Sequence, residues 1–114
     1  MSNCLFCRIA QKEVPAKVVY EDATVVGFED INPKAPVHIL IIPKKHIESA
    51  NTLAAEDEPA MGHLYSVARQ LAVTRRIDRS GYRCVLNTGP DAGQSVCHLH
   101  LHLMGGRPMA WPPG

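Results

Sequence analysis

Polar and apolar residues alternate strictly over residues 98–103, one histidine and then one leucine: His98-Leu99-His100-Leu101-His102-Leu103. Side chains on a β-strand point to opposite faces with a period of two. A strand here therefore lines three imidazoles along one face and puts Leu99, Leu101 and Leu103 on the other, whereas a helix would scatter both sets. Val37 to Ile42 is a nearly continuous β-branched run and predicts a central strand. Lys17 to Glu21 and Thr24 to Glu29 predict two valine-rich strands broken at Glu21-Asp22-Ala23. Tyr82 to Asn87 predicts a further strand. Two segments predict helices. Leu5 to Lys12 is short and ends on the approach to Pro15. The second opens at Glu56-Asp57-Glu58-Pro59, where acidic residues and a proline suit a first helical turn. Its apolar stripe runs through Met61, Leu64, Tyr65, Ala68, Leu71 and Ala72, and Arg75 and Arg76 suit its end. Asp30 to Pro36 and Thr88 to Ser95 predict loops, and Pro108 to Gly114 is too proline-rich for regular structure. The order of elements predicts an α+β domain with helices on one side of an antiparallel sheet.

Size and composition bound this picture. The 114 residues, 46% of them hydrophobic, fit one domain, 1–114, with one packed core. A formal net charge of +1 gives no electrostatic case for a nucleic-acid polymer or an anionic membrane. No apolar run approaches the roughly 18 residues that span a bilayer, and Met1-Ser2-Asn3-Cys4 lacks the basic and apolar regions of a signal peptide. The expected location is cytoplasmic, where cysteines serve as thiols or metal ligands rather than disulfides.

Imidazole is suited to act as nucleophile, proton carrier or metal ligand near neutral pH. Three readings compete for the histidine face: a solvated surface, a metal site, or nucleophilic catalysis. Adjacent same-face residues lie roughly 6.6 Å apart and the outer pair roughly 13 Å, so a metal held by these three alone is disfavoured. The preceding loop, Gly89-Pro90-Asp91-Ala92-Gly93-Gln94-Ser95, favours catalysis. Its glycines allow close backbone approach, its N–H groups suit a phosphate, and Ser95 adds a hydroxyl donor.

The segment Gly93-Gln94-Ser95-Val96-Cys97-His98-Leu99-His100-Leu101-His102-Leu103 resembles the signature of the histidine triad nucleotide-binding proteins. Val14-Pro15-Ala16-Lys17, Phe28-Glu29-Asp30-Ile31, Pro43-Lys44-Lys45-His46-Ile47 and Trp111-Pro112-Pro113-Gly114 resemble the adenosine phosphoramidase branch often called Hint. The resemblance implies a five-stranded antiparallel sheet with two helices, and a homodimer whose sheets join. It implies hydrolysis of a purine nucleoside monophosphate linked to an amine or another leaving group, with AMP or GMP released. His100 would attack phosphorus and form a nucleotidyl-histidine, with no metal required for the chemistry. His102 and the Gly93, Gln94 and Ser95 backbone would bind non-bridging oxygens, and Ser95 would meet the departing nitrogen. The physics adds a requirement: a nucleophilic imidazole presents a lone pair from one nitrogen, so a backbone carbonyl should hold the proton on the other.

Further positions carry over by the same resemblance. Asp30 with Ile31 matches a ribose-binding pair, although Asp30 also suits a turn. Asn87 matches a residue near ribose and phosphate. Phe6, Phe28 and Leu40 match residues around a base pocket, and His38 matches a residue that supports the active histidines. His98, the first of the triad, is implied in a second role. With Cys4, Cys7 and His46 it completes a set that binds structural zinc in bacterial relatives, whereas the Hint proteins with the matching ending lack the cysteine pair. Cys84 and Cys97 are expected on strands without a role, and His63 is expected solvated or packed. The resemblance also implies that Trp111 to Gly114 reaches a neighbouring subunit near its active site. Two other functions fit the chain: a dinucleoside polyphosphate hydrolase, and a nucleotide-binding or zinc-dependent interaction protein with incidental turnover.

Overall fold

The computed structural model describes residues 3–114; Met1 and Ser2, part of the N-terminal reading, lie outside the described residues. The elements are α1 (Leu5–Ala10), β1 (Val18–Glu21), β2 (Val25–Glu29), β3 (Val37–Pro43), α2 (Glu58–Thr74), β4 (Tyr82–Val85) and β5 (Leu101–Gly105). Two short 3-10 turns, Ala50–Thr52 and Ala55–Asp57, lead into α2. The five strands form one antiparallel sheet in the order β1-β2-β3-β5-β4.

The central β3 explains the layering. Its residues alternate between two apolar environments. Ile39 and Ile41 join Val25, Leu101, Leu103 and the α2 residues Leu64, Val67 and Leu71 on one face. Leu40 and Ile42 join Val26, Phe28 and the α1 residues Phe6 and Ile9 on the other. The two helices therefore cover opposite faces, not one side as the element order suggested. A β-branched run buried on both faces requires such a cover on each. Full burial of Leu64, Val67 and Leu71 contributes about 1.5–3 kcal/mol per side chain and fastens α2 to the sheet. Tyr65, placed on the stripe by its spacing, is half exposed, and Val67 at the opposite edge is buried. Among the described residues no helix is long and apolar enough to cross a membrane.

Strand β5 starts at Leu101, three residues later than the alternation implies, and β4 ends at Val85 rather than Asn87. The last β3–β5 pair is Ile41 with Leu101. Beyond it β3 reaches Pro43, which has no N–H to give a ladder. The chain over 98–100 is held by other bonds, including Leu99 N–H to the Ile47 carbonyl at 2.7 Å. The alternation of faces nonetheless persists: Leu99 lies in the α2 core, while His98 and His100 contact Phe6 of α1 at ring separations of 6.0 and 5.0 Å. Cys97 is exposed in this bend rather than on a strand.

Candidate active site and adjoining metal-ligand cluster

The histidine face closes one side of a cavity of about 610 Å³. Its apolar end is built by Phe6 and Ile9 of α1, Phe28 of β2 and Leu40 of β3, and Asp30, Ile31, Ser95, His100 and His102 stand around the rest. Phe6 and Phe28 meet edge to face at 5.4 Å. Of the residues the sequence singled out, Asn87, Gly93 and Gln94 do not form its walls. Gln94 is occupied in shaping the loop: its amide nitrogen donates to the Glu48 and Val96 carbonyls at 2.7 and 3.0 Å, and its oxygen accepts the Gly89 N–H. Gly93 adopts φ +81, a conformation that favours glycine. Ile31 is fully exposed at the cavity rim. A second, more open cavity of about 440 Å³ lies beside Cys4 and His46, and Ser95 stands at the junction of the two.

Hydrogen bonds fix the protons on the imidazoles. His100 Nδ1 donates to the His98 carbonyl at 2.7 Å, so in the neutral ring Nε2 carries the lone pair. The carbonyl that a nucleophilic imidazole requires is thus supplied two residues upstream. His38 Nδ1 accepts the Lys34 backbone N–H at 3.0 Å, which places the His38 proton on Nε2. That proton is donated to His102 Nδ1 at 2.9 Å, and neutral His102 is left with an N–H on Nε2. Burial, reinforced by His100 and His38 and opposed by Asp30, pushes His102 down to about 4. Burial likewise lowers His38, with Asp30 opposing and Lys34 assisting. Both rings are neutral at pH 7. The site thus offers one bare nitrogen and one N–H donor on neighbouring rings 5.0 Å apart.

Asp30 has two attachments. One carboxylate oxygen accepts the Asn32 N–H at 2.8 Å, as a turn residue does. The other lies 3.4 Å from His38 Nε2. Asp30, His38 and His102 bring three possible ligand atoms together, but the His38 Nε2 proton demanded by the Lys34 N–H blocks that nitrogen as a metal ligand.

Next to the histidines, on the α1 side, Cys4, Cys7, His46 and His98 converge. His98 Nδ1 lies 3.3 Å from Cys4 Sγ, 3.4 Å from Cys7 Sγ and 3.2 Å from His46 Nδ1. Cys7 Sγ lies 3.2 Å from His46 Nδ1. A tetrahedral zinc ion bound at about 2.0–2.3 Å separates its ligand atoms by roughly 3.3–3.8 Å, so the donor set and spacing fit the ion closely. The outer bonds fit as well. His98 Nε2 donates to the Pro43 carbonyl at 2.8 Å, which leaves Nδ1 bare toward the cluster. The Cys7 N–H points to Cys4 Sγ at 3.4 Å.

Three groups escaped the sequence reading. The Pro43 carbonyl and the Lys34 N–H are backbone groups, whose direction no residue type reveals. Arg107, outside every motif, binds the Lys34 carbonyl through Nε and Nη2 at 3.1 and 2.9 Å. Elsewhere His63 is partly exposed and also partnered: its Nε2 lies 2.6 Å from Asp22 Oδ2, which also accepts the Tyr20 hydroxyl at 2.7 Å. Trp111 is 81% exposed and does not fold back onto its own chain.

Residues 3–110 match the sequence family described as "Scavenger mRNA decapping enzyme C-term binding". An uncharacterized HIT-like protein of Synechocystis is 46% identical over 112 residues, 98% of this chain and 97% of that protein. A HIT family hydrolase from Legionella pneumophila is 50% identical, with a TM-score of 0.97 over 98% of this chain and all of its own. A histidine triad protein from Clostridium difficile is 39% identical, with a TM-score of 0.93 over 96% of both chains. Identity of this order along nearly the whole length, together with three successive histidines lining one cavity and cluster, makes this chain a member of the histidine triad, or HIT, family.

Proposed function

We propose that the protein is a purine nucleoside phosphoramidase, releasing AMP or GMP from a P–N bond through a nucleotidyl-histidine on His100. The observation that carries this reading is the 2.7 Å bond from His100 Nδ1 to the His98 carbonyl, which in the neutral ring puts the nucleophilic lone pair on Nε2. In the first step the Nε2 lone pair attacks the α-phosphorus. The P–N bond breaks, and the nitrogen leaves as the free amine, taking up a proton from solvent through the Ser95 hydroxyl that meets it. The His102 N–H faces a non-bridging oxygen and opposes its growing negative charge. In the second step water attacks phosphorus and returns a proton to solvent, the bond to Nε2 breaks, and the nucleotide leaves with the neutral ring restored. The apolar end of the cavity, at Phe6, Phe28 and Leu40, would take the purine by area and edge contacts, and Asp30 beside Ile31 would accept from the ribose hydroxyls. The hydrolase from Legionella pneumophila supports an enzyme over a pure binding module.

The same reading includes structural zinc on Cys4, Cys7, His46 and His98, supported by the fit of their spacing. When bound, the ion would cross-link α1 to the chain after β3 and to the triad, with no part in the chemistry. It also includes a homodimer in a reducing, cytoplasmic setting, with the exposed Trp111 segment reaching the partner's cavity. An adenosine phosphoramidate carrying a fluorescent amine tests the function, with His100→Ala beside wild type. Release by wild type alone supports the reading. No release by either, with AMP still bound, would make the protein a nucleotide-binding module. Cleavage of dinucleoside polyphosphates in preference to the phosphoramidate would assign it to a sister branch.

A further inference from the structure

Arg107 lies on the surface, in the turn after β5 and away from the cavity walls. Nothing about its place in the sequence connects it to the histidines, but its hydrogen bonds do. Its guanidinium grips the Lys34 carbonyl with two N–H groups at 3.1 and 2.9 Å and reaches the Pro108 carbonyl with a third at 2.9 Å. Charge-assisted bonds of this kind are among the stronger ones available to a backbone carbonyl. The approach is built in. Gly106 adopts φ +92, and a Cβ there would stand 2.9 Å from the Pro36 Cβ. The turn can therefore press onto the 34–36 loop only because that residue is glycine.

Lys34 is also the residue whose N–H fixes His38. A continuous series of bonds runs from the Arg107 guanidinium to the Lys34 carbonyl, from the Lys34 N–H to His38 Nδ1, and from His38 Nε2 to His102 Nδ1. Without the Lys34 N–H only the Asp30 carboxylate, 3.4 Å from His38 Nε2, still favours the proton there, and Nδ1 becomes open to it. With the proton on Nδ1, His38 Nε2 would accept rather than donate, and His102 would turn its own proton inward, away from the cavity.

We propose that Arg107 is a positioning residue: by holding the Lys34 carbonyl it steadies the neighbouring peptide whose N–H caps His38, and so keeps the proton of His102 on the nitrogen that faces the substrate phosphate. The loop 30–38 has no other side-chain anchor to the turn after β5 among the described hydrogen bonds. The consequence for hydrolysis rests on the proposed phosphoramidase reading; the proton assignment does not.

The experiment compares wild type, Arg107→Ala and Arg107→Lys by two readouts. Long-range proton–nitrogen correlation spectra of the imidazoles give the tautomers of His38 and His102 directly. Hydrolysis of the fluorescent phosphoramidate gives kcat and KM. Arg107→Ala is expected to convert the single His38 and His102 tautomers into mixtures and to lower kcat roughly tenfold, with KM little changed. Arg107→Lys keeps one donor to the Lys34 carbonyl and should restore much of both. Unchanged tautomers in Arg107→Ala would overturn the proposal, whatever happened to the rate. Altered tautomers with unchanged kcat in an active enzyme would overturn its catalytic half. If wild type hydrolyses nothing, the function proposed above fails, while the spectra still decide what Arg107 does.

Discussion

Acid should destabilise this fold through its neutral histidines, and the contribution of His102 can be worked out. Its folded pKa is about 4, against about 6.5 for an unfolded histidine. The unfolded chain therefore takes up a proton at this position as pH falls through 6.5, while the folded chain does not until about pH 4. Stability rises with pH wherever the unfolded state binds more protons. The stability linked to His102 is complete above pH 6.5 and drains away between 6.5 and 4 by about 1.4 kcal/mol per pH unit, on the order of 3 kcal/mol in all. His38 is shifted in the same direction and adds to the loss. Carboxylates held low act in a different window: Asp22 stays ionised because hydrogen bonds from Tyr20, His63, Thr24 and Val25 outweigh the upward push of burial. Its stabilisation is lost only as pH falls below the unfolded carboxylate value near 3.9. The assay is urea unfolding at intervals from pH 7.5 to 4.5, with a chelator present throughout so that metal loss does not enter. Far-UV circular dichroism is the suitable probe, since Trp111 is exposed already. The midpoint of wild type should fall by roughly 1–2 M across the range, and that of His102→Gln by clearly less. Parallel curves for the two proteins would refute the assignment of a buried neutral His102.

Other expectations concern packing, metal and the final segment. Gly105→Ala places a Cβ 2.6 Å from Ile77 Cδ1 and 3.3 Å from the Gly81 carbonyl; a loss of about 1–3 kcal/mol is expected, and an unchanged thermal midpoint would show that Ile77 yields freely. Chelator should lower the melting temperature of metal-loaded wild type and leave Cys7→Ala unaffected, with elemental analysis reading about one zinc per wild-type chain; equal melts with and without chelator would argue against a structural ion. Deleting Trp111 to Gly114 should change relative rates across amine leaving groups, because the exposed tryptophan is proposed to serve a partner's cavity; identical rate ratios would count against that role.

Much of the architecture was legible because it rests on periodicity. The His-Leu alternation specified two faces, and the β-branched run over Val37 to Ile42 specified a strand at the centre of the sheet. Periodicity could not say which faces the helices take. That is decided by β3 being apolar on both sides, so α1 and α2 separate. Nor could it locate the start of β5, which depends on a proline in the neighbouring strand. Tyr65 and Val67 flank opposite edges of the α2 stripe, about 160° apart, and the sheet covers the edge that carries the aliphatic chain. At the site, Phe6, Phe28, Leu40, His38, His100 and His102 were recognisable by type and motif. The backbone partners at Lys34 and Pro43 were not, and the carbonyl that His100 requires was expected in kind but not as that of His98, since every peptide has the same donor and acceptor.

The two-faced burial of β3 also protects against misassembly. His38, near one end of that strand, reaches His102, and the Pro43 carbonyl at the other end receives His98. Sliding the strand by a single residue would send His38 toward the α2 core and bring Ile39 toward His102, since each residue of slippage reverses every side chain. The same error would force β3 to exchange one hydrophobic interior for another of different shape. A chain that has solved its packing has therefore already aligned its imidazoles, and an inactive but stably folded slipped form has nowhere to accumulate.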